Sequence, residues 1–518
     1  MMQIDFQKEN LHVSELAANQ AASLLVEGDV IVPDIKPDVK EVLLTEATAV
    51  VTNHSFAEGK LSFSGVTAVK ILYIPEGDSD GAKSIDAKFE FKDVIELAKE
   101  DMADVNVKAQ VEHAEFSLIN SRKLNMKVVV AVSAKCYRRK EVVLLSDAAK
   151  DCPLKVRTRA LSSYQVIADT SRELVVSETL EIPAAKPDAD EIIKLSAKAF
   201  RGECKIMSGK MILKGALVVH TLYQSLDPED GIHTMEHELP FGEMVEVEGL
   251  DDACLCNVSY EIKDVYYVLK DDLNGDPRVI SLDVVLRADI LASKIQDAQC
   301  IEDCYSVSGR AEVARDKMQL DELLCEGISH LSLKEILTVP EGVPAASAVY
   351  SLDCKPKVQE LLVADEKLII RGKLTTFVLY GSAEGEAPLY SLMGEFNFEH
   401  SVPAEGADET AFCECGVTDQ NISFTLNAAS EIELRCVLEF YTRAVRKQEI
   451  EHITGCELME DESGQTESRG LVIYFAQKGD TLWDVAKHYR IDQDTIMQLN
   501  QMDNGQILAG QKILIPGR

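Results

Sequence analysis

Positive charge is scarce in this chain. Its 53 lysines and arginines stand against 88 aspartates and glutamates, a formal net charge of −35. A field of that sign repels phosphate and argues against nucleic acid and anionic lipid surfaces as direct partners. Long apolar runs are missing too. No stretch approaches the roughly 18 residues of a membrane-crossing helix, and Met1-Met2-Gln3-Ile4-Asp5-Phe6-Gln7-Lys8-Glu9 has neither the basic nor the apolar segment of a secretory leader. The 13 cysteines are an odd number, scattered through the chain, which points to free thiols in a reducing cytosol. Catalytic signatures are equally sparse. There is no Gly-x4-Gly-Lys-[Ser/Thr] phosphate loop, no Gly-x-Ser-x-Gly elbow and no nucleotide fingerprint, so no cofactor and no catalytic residue is expected. Cys254-x-Cys256, Cys413-x-Cys415 and Cys300-x3-Cys304 lack the spacing and ligand number of a zinc site, and His233-x3-His237 reads as a solvated loop, so no metal is expected either.

What is present is repetition. Gly59-Lys60-Leu61-Ser62-Phe63-Ser64-Gly65 recurs as Gly209-Lys210-Met211-Ile212-Leu213-Lys214-Gly215 and again as Glu366-Lys367-Leu368-Ile369-Ile370-Arg371-Gly372, each followed by Tyr73, Tyr223 or Tyr380. The offsets are 150 and 157, and Pro33/Pro183/Pro340, Pro37/Pro187/Pro344 and Phe91/Phe241/Phe398 obey them. Three homologous domains follow, bounded at 1–148, 160–300 and 326–446. Their alternation, as in Lys60-Leu61-Ser62-Phe63, and turns such as Asn274-Gly275 mark strands, so the expected class is mainly β, each repeat a sandwich or small barrel. The shared glycine implies a bulge or a close backbone approach; the Pro-x3-Pro segments imply strand ends or edges. Between the second and third repeats, Ala311–Leu324 reads as a helix. The polar stretch 447–470 reads as a flexible tether.

The last unit, 471–518, differs in kind. It is charge-neutral, with five basic and five acidic residues, so 1–470 carries the whole −35. Leu482, Val485, Ala486 and Tyr489 form one helical stripe capped by Asp480 or Thr481, and Asp492 caps a second helix with Ile496 and Leu499. Val472–Phe475 and Lys512–Ile515 supply two strands, a βααβ order. Trp483, the lone tryptophan, lies outside the stripe: it is either an exposed contact or packed beneath the loop.

With Tyr474, Gly479-Asp480-Thr481-Leu482-Trp483, Asn500, Gly510-Gln511 and Leu514-Ile515-Pro516, this unit resembles a LysM domain. With the three repeats before it, the whole chain resembles the SipL-like spore-coat morphogenetic proteins of clostridia, whose repeats are SPOCS domains. Repeat three departs from the pattern, holding Val339-Pro340-Glu341-Gly342-Val343-Pro344 where the others carry Lys-Pro-Asp. The LysM resemblance implies a groove between Gly479, Asp480 and Thr481 and the loop Met502, Asp503, Asn504, Gly505, Gln506, Ile507 and Leu508, with Trp483 beside it. Such a groove takes N-acetylglucosamine-containing glycan. The SipL resemblance implies instead a non-enzymatic adaptor in the mother-cell cytoplasm, an elongated acidic arm whose LysM docks on the SpoIVA-like coat-basement ATPase at the forespore surface.

Overall fold

In the computed structural model, which describes residues 2–77, 81–97, 104–149, 152–385, 387–428, 431–459 and 470–517, each repeat opens and closes on one long antiparallel ribbon. In the first repeat β1 (Phe6–Ile31) and β6 (Lys123–Ala148) pair from Phe6↔Ala148 to Ile31↔Lys123, and β5 (Asp104–Asn120) adds a third strand along one half of β6 only. Between them β2 (Val39–Ala57), β3 (Lys60–Pro75) and β4 (Lys83–Glu96) make a second sheet. The alternation of β3 aims Leu61, Phe63, Val69 and Ile71 at Val26, Val128, Val130 and Val132 of the first sheet, so the repeat is a sandwich with one apolar core. The same six strands recur as β7 (Leu154–Glu181), β8 (Ala189–Arg201), β9 (Lys210–Ser225), β10 (Ile232–Glu246), β11 (Leu255–Asp271) and β12 (Pro277–Ser306). They recur again as β13 (Arg310–Thr338), β14 (Ala348–Ala364), β15 (Lys367–Gly381), β16 (Tyr390–Pro403), β17 (Phe412–Ala428) and β18 (Glu431–Met459).

The sequence landmarks prove to be one device. Gly65, Gly215 and Gly372 sit directly opposite Phe91, Phe241 and Phe398 in the ladder. A Cβ on each glycine would stand 2.3–2.4 Å from that ring and 2.4–2.5 Å from a carbonyl oxygen of the strand on its other side, so the ring occupies the space a side chain would need. Tyr73, Tyr223 and Tyr380 are fully buried, and each donates its hydroxyl to the carbonyl of the second proline of its turn, at 2.9, 3.0 and 3.2 Å. Replacing Tyr223 by Phe keeps the packing and strands the Pro187 carbonyl. The expected cost is about 1 kcal/mol, read as a lower urea midpoint with an unchanged m-value.

Lys-Pro-Asp completes the corner in the first two repeats. Lys36 and Lys186 donate to the carbonyls of Ser84 and Thr234, while Asp38 and Asp188 pair with Arg122 and Arg278, whose other nitrogens hold the turn carbonyls of Pro33 and Pro183. Repeat three keeps the tyrosine bond without this clamp, because Val343 and Ala345 offer neither charge.

The outer halves of the three ribbons leave their sandwiches at a bulge shared by all three, at Ala17, Ile167 and Leu324, and run on together. Leu11, Leu161 and Met318, which occupy equivalent positions, meet in one cluster, as do Leu72, Leu222 and Leu379 where the second sheets converge. Equivalent residues can meet in this way only if the repeats surround an approximate threefold axis. Met2–Gln3 pair with Leu458 and Glu457, joining the chain start to the third ribbon. The expected elongated arm is therefore a closed bundle.

The helix expected at Ala311–Leu324 is strand β13: pairing with β18 supplies its backbone hydrogen bonds, and Met318 and Leu320 turn inward at a two-residue period. The ribbons carry the second and third repeats to 154–306 and 310–459, so the start of the expected tether, 447–459, is strand. Its remainder, 460–469, lies outside the described residues. His233 and His237 stand on strand β10 rather than in a loop.

Candidate ligand-binding and docking site

The C-terminal unit is built as its pattern implies. β19 (Leu471–Phe475) pairs with β20 (Lys512–Pro516), and α1 (Leu482–Tyr489) and α2 (Gln493–Leu499) cover one face. Leu482, Val485, Ala486, Ile496, Ile513 and Ile515 form its core. Thr481, not Asp480, is the cap of α1: its hydroxyl accepts the Asp484 amide at 3.2 Å while the Asp484 carboxylate takes the Thr481 amide. Asp480 instead pins the loop before the helix, accepting the Tyr474 hydroxyl and the Gln477 amide. These bonds, Tyr474 foremost, hold its carboxyl below the usual range. Asp492 caps α2 as expected.

The second loop is fixed from behind. The Asn500 amide donates to the carbonyls of Ile496 and Leu514 and its oxygen accepts the Leu514 amide at 2.6 Å. Asn504 accepts the Gln506 amide, and Leu508 and Gln511 bond each other. Gly505 lies against Leu482, which brings the two predicted loops to one face. Gly479, Thr481, Asp503, Asn504, Gln506 and Leu508 are exposed there, and Asp480, Met502 and Ile507 are half-buried. Leu508, 74% exposed, is an unpaired apolar tip among short polar groups.

Trp483 does not join that face. It is only 7% exposed, and it turns toward the ribbons, where its indole N–H donates to Asp303 at 2.9 Å. Tyr305 meets it edge-on at 5.0 Å and Arg157 lies over its ring. Its place outside the helix stripe was the sequence sign of this role, since a second apolar face on a short helix needs a second partner. Asp303 also accepts Lys487 at 2.7 Å and Arg315 at 2.9 Å. Tyr305 donates to the Ile491 carbonyl, and Lys155 pairs with Asp492. The sequence offered no pattern that singled out Asp303 or Tyr305. Burial opposes ionisation of Asp303, but the bonds from Lys487 and Trp483 and the Lys487 and Arg315 charges outweigh it and hold its carboxyl below the usual range.

Elsewhere, a cavity of about 510 Å³ lies between the repeats, with Asn106, Asn257 and Glu414 at equivalent positions on its wall. Its charges are largely spent on one another, as Lys108–Asp289, Lys135–Glu414 and Arg201–Glu439. No cluster of three metal-ligating side chains occurs among the described residues.

Comparison with known families matches 38–119, 188–270 and 346–427 to the SipL, SPOCS domain, and 474–516 to the LysM domain. No curated protein and no solved structure matches the chain. Both matched domains are non-catalytic binding domains, and no enzyme family is indicated.

Proposed function

For a chain that carries three SPOCS domains of the SipL family and a terminal LysM domain, we propose the role of a non-enzymatic assembly adaptor in the spore coat. The SPOCS repeats imply a sporulation protein, and LysM is a peptidoglycan-binding type of domain. No helix among the described residues is long and apolar enough to cross a membrane. In this reading the acidic bundle is a scaffold at the forespore surface, facing the mother-cell cytoplasm, and the LysM unit docks on the SpoIVA-like coat-basement ATPase. The observation that supports it is the orientation of the LysM unit. Its Trp483 face is clasped to the ribbons, which leaves the loops 479–481 and 502–508 outward on a rigid mount. Interfaces take most of their energy from a few anchors, and Leu508 is the exposed apolar group that fits this part.

A second reading, glycan binding through the same loops, is favoured by their short polar side chains around an apolar tip. Calorimetry of the full chain against the purified ATPase, and separately against N-acetylglucosamine oligomers, separates the two. Docking predicts saturable binding of the ATPase, weakened at least about tenfold by Leu508→Asp, with no heat from the sugars. Sugar binding alone, lost in the same variant, transfers the site to glycan. No binding of either ligand rejects both readings.

A further inference from the structure

All 13 cysteines are free thiols, yet four of them face one another in pairs. Cys354 on β14 and Cys436 on β18 belong to opposite sheets of the third sandwich. Both lie in its one buried core cluster, and each thiol bears directly on the ionisation of the other. The registers identify the same two positions in the other repeats. Cys354 stands opposite Thr376 as Ala197 stands opposite Val219 and Ala47 opposite Val69. Cys436 stands opposite Leu333 as Val284 stands opposite Val176 and Val128 opposite Val26. Two repeats thus fill this inter-sheet contact with alanine and valine, and only the third fills both sides with cysteine. One buried cysteine is a serviceable small hydrophobe; two that meet across a single contact are the makings of a covalent staple.

The second pair has a different origin. Cys304 lies opposite Val156 and Cys456 opposite Val313, which are equivalent places on the second and third ribbons; the first ribbon has Ala148 there, opposite Phe6. The approximate threefold axis therefore brings the two thiols together. They are 2% and 7% exposed, in a cluster with Leu145, Ile301 and Ile453, and again each thiol bears directly on the ionisation of the other. Cys304 sits between Asp303 and Tyr305, the two residues that hold the LysM unit.

We propose that these pairs are two latent disulfides, Cys354–Cys436 across the third sandwich and Cys304–Cys456 between the second and third repeats, closed by a disulfide oxidant such as oxidised glutathione. In each pair one thiol gives up its proton and attacks the glutathione disulfide, releasing one glutathione thiolate. The second thiol, losing its proton in turn, displaces the other. One Sγ–Sγ bond forms, two cysteines are oxidised, and one oxidised glutathione becomes two reduced ones. The first staple ties the two sheets of a sandwich. The second ties two repeats directly beneath the LysM mount and would fix the bundle once it meets oxidising conditions.

The test is refolding of the full chain from urea in a mixture of reduced and oxidised glutathione, so that burial does not block the reagent, followed by unreduced digestion and mass spectrometry. The expected products are peptides joined through Cys354–Cys436 and through Cys304–Cys456, each lighter by two hydrogens than its reduced pair, with the other cysteines open to alkylation. The melting temperature should rise and should fall back on reduction. Cys354→Ala with Cys436→Val, the residues the other repeats use, should fold normally and lose the first linkage alone. Cys304→Ala with Cys456→Ala should lose the second alone. Recovery of these four cysteines as free thiols or single glutathione adducts, or linkages scattered among the other nine, overturns the proposal.

Discussion

Lys194→Met is expected to cost about 3–5 kcal/mol of stability, the cost of leaving buried carboxylates without their counter-charge. Lys194, on β8 of the second repeat, lies 2.5 Å from Asp353 of the third and 3.6 Å from Glu46 of the first, so a single ammonium ties all three repeats. Asp353 and Glu46 occupy equivalent positions, as the registers Asp353↔Phe377 and Glu46↔Lys70 show. Burial works against ionisation of Asp353, but the charges of Lys194 and Lys198 outweigh it and bring its carboxyl down to about 2. A depression of that size is worth on the order of 2 kcal/mol at neutral pH. Because the folded-state value is the lower one, the contribution is complete above about pH 4, the range of a free carboxylate, and is lost as the pH falls toward 2. Urea unfolding at stepped pH should show this loss in the parent chain. In Lys194→Met it should shrink or reverse, because protonation then relieves the uncompensated carboxylates. Adding Asp353→Leu to Lys194→Met should recover much of the loss. A single variant within about 0.5 kcal/mol of the parent, the range of ordinary surface changes, would show that the three repeats do not depend on this contact.

The contrast between what the sequence displays and what it conceals follows from distance along the chain. The alternation of Lys60–Ile71 is local, and it marks a strand whose inner face is Leu61, Phe63, Val69 and Ile71. Gly65 and Phe91 were visible as separate landmarks, but that one covers the other is a matter of register. Ala311–Leu324 misleads for the opposite reason. It is rich in helix formers, and local propensity yields there to the ladder with β18. The repeat offsets, 150 and 157, carry the strand Phe6–Ile31 onto that same stretch, so the internal symmetry was the better guide to it. The threefold arrangement rests on contacts such as Lys194–Asp353 and Leu72–Leu222–Leu379; the offsets mark the leucines as equivalent, but not that they meet. In the LysM unit the caps, core and loops were legible because a unit of that size is made of local contacts. The partner of Trp483 was not, because Asp303 lies 180 residues away.

That distant partner makes Asp303→Ala the variant that should free the LysM unit. The Asp303 carboxylate is where the indole N–H of Trp483 and the cations of Lys487 and Arg315 converge. Without it, the buried Trp483 N–H and the partly exposed Lys487 lose their acceptor, while Arg315 keeps the Glu302 carbonyl, at a cost of about 2–3 kcal/mol, or roughly 30- to 150-fold in the docking equilibrium. The folded core of the unit is untouched, since Leu482, Val485, Ile496 and Ile515 pack without Asp303. The expected signature is therefore release rather than unfolding. Emission from the single tryptophan should move to longer wavelength, and amide exchange should quicken over Leu482–Tyr489, while the three repeats unfold as before. The same release should appear in the parent chain in acid. Asp303 titrates below the usual carboxylate range, so the clasp is fully formed above about pH 4 and weakens as the pH falls below it. Asp303→Ala should lack that acid transition. Because the same Trp483 contact holds the outward loops on their mount, release also bears on binding. A partner gripped by loops 479–481 and 502–508 alone should bind the freed unit as well as the clasped one. A partner that also touches the ribbons should lose affinity along with the clasp. Unchanged emission and exchange in Asp303→Ala would mean that Tyr305, Arg157 and the Lys155–Asp492 pair hold the unit without the carboxylate.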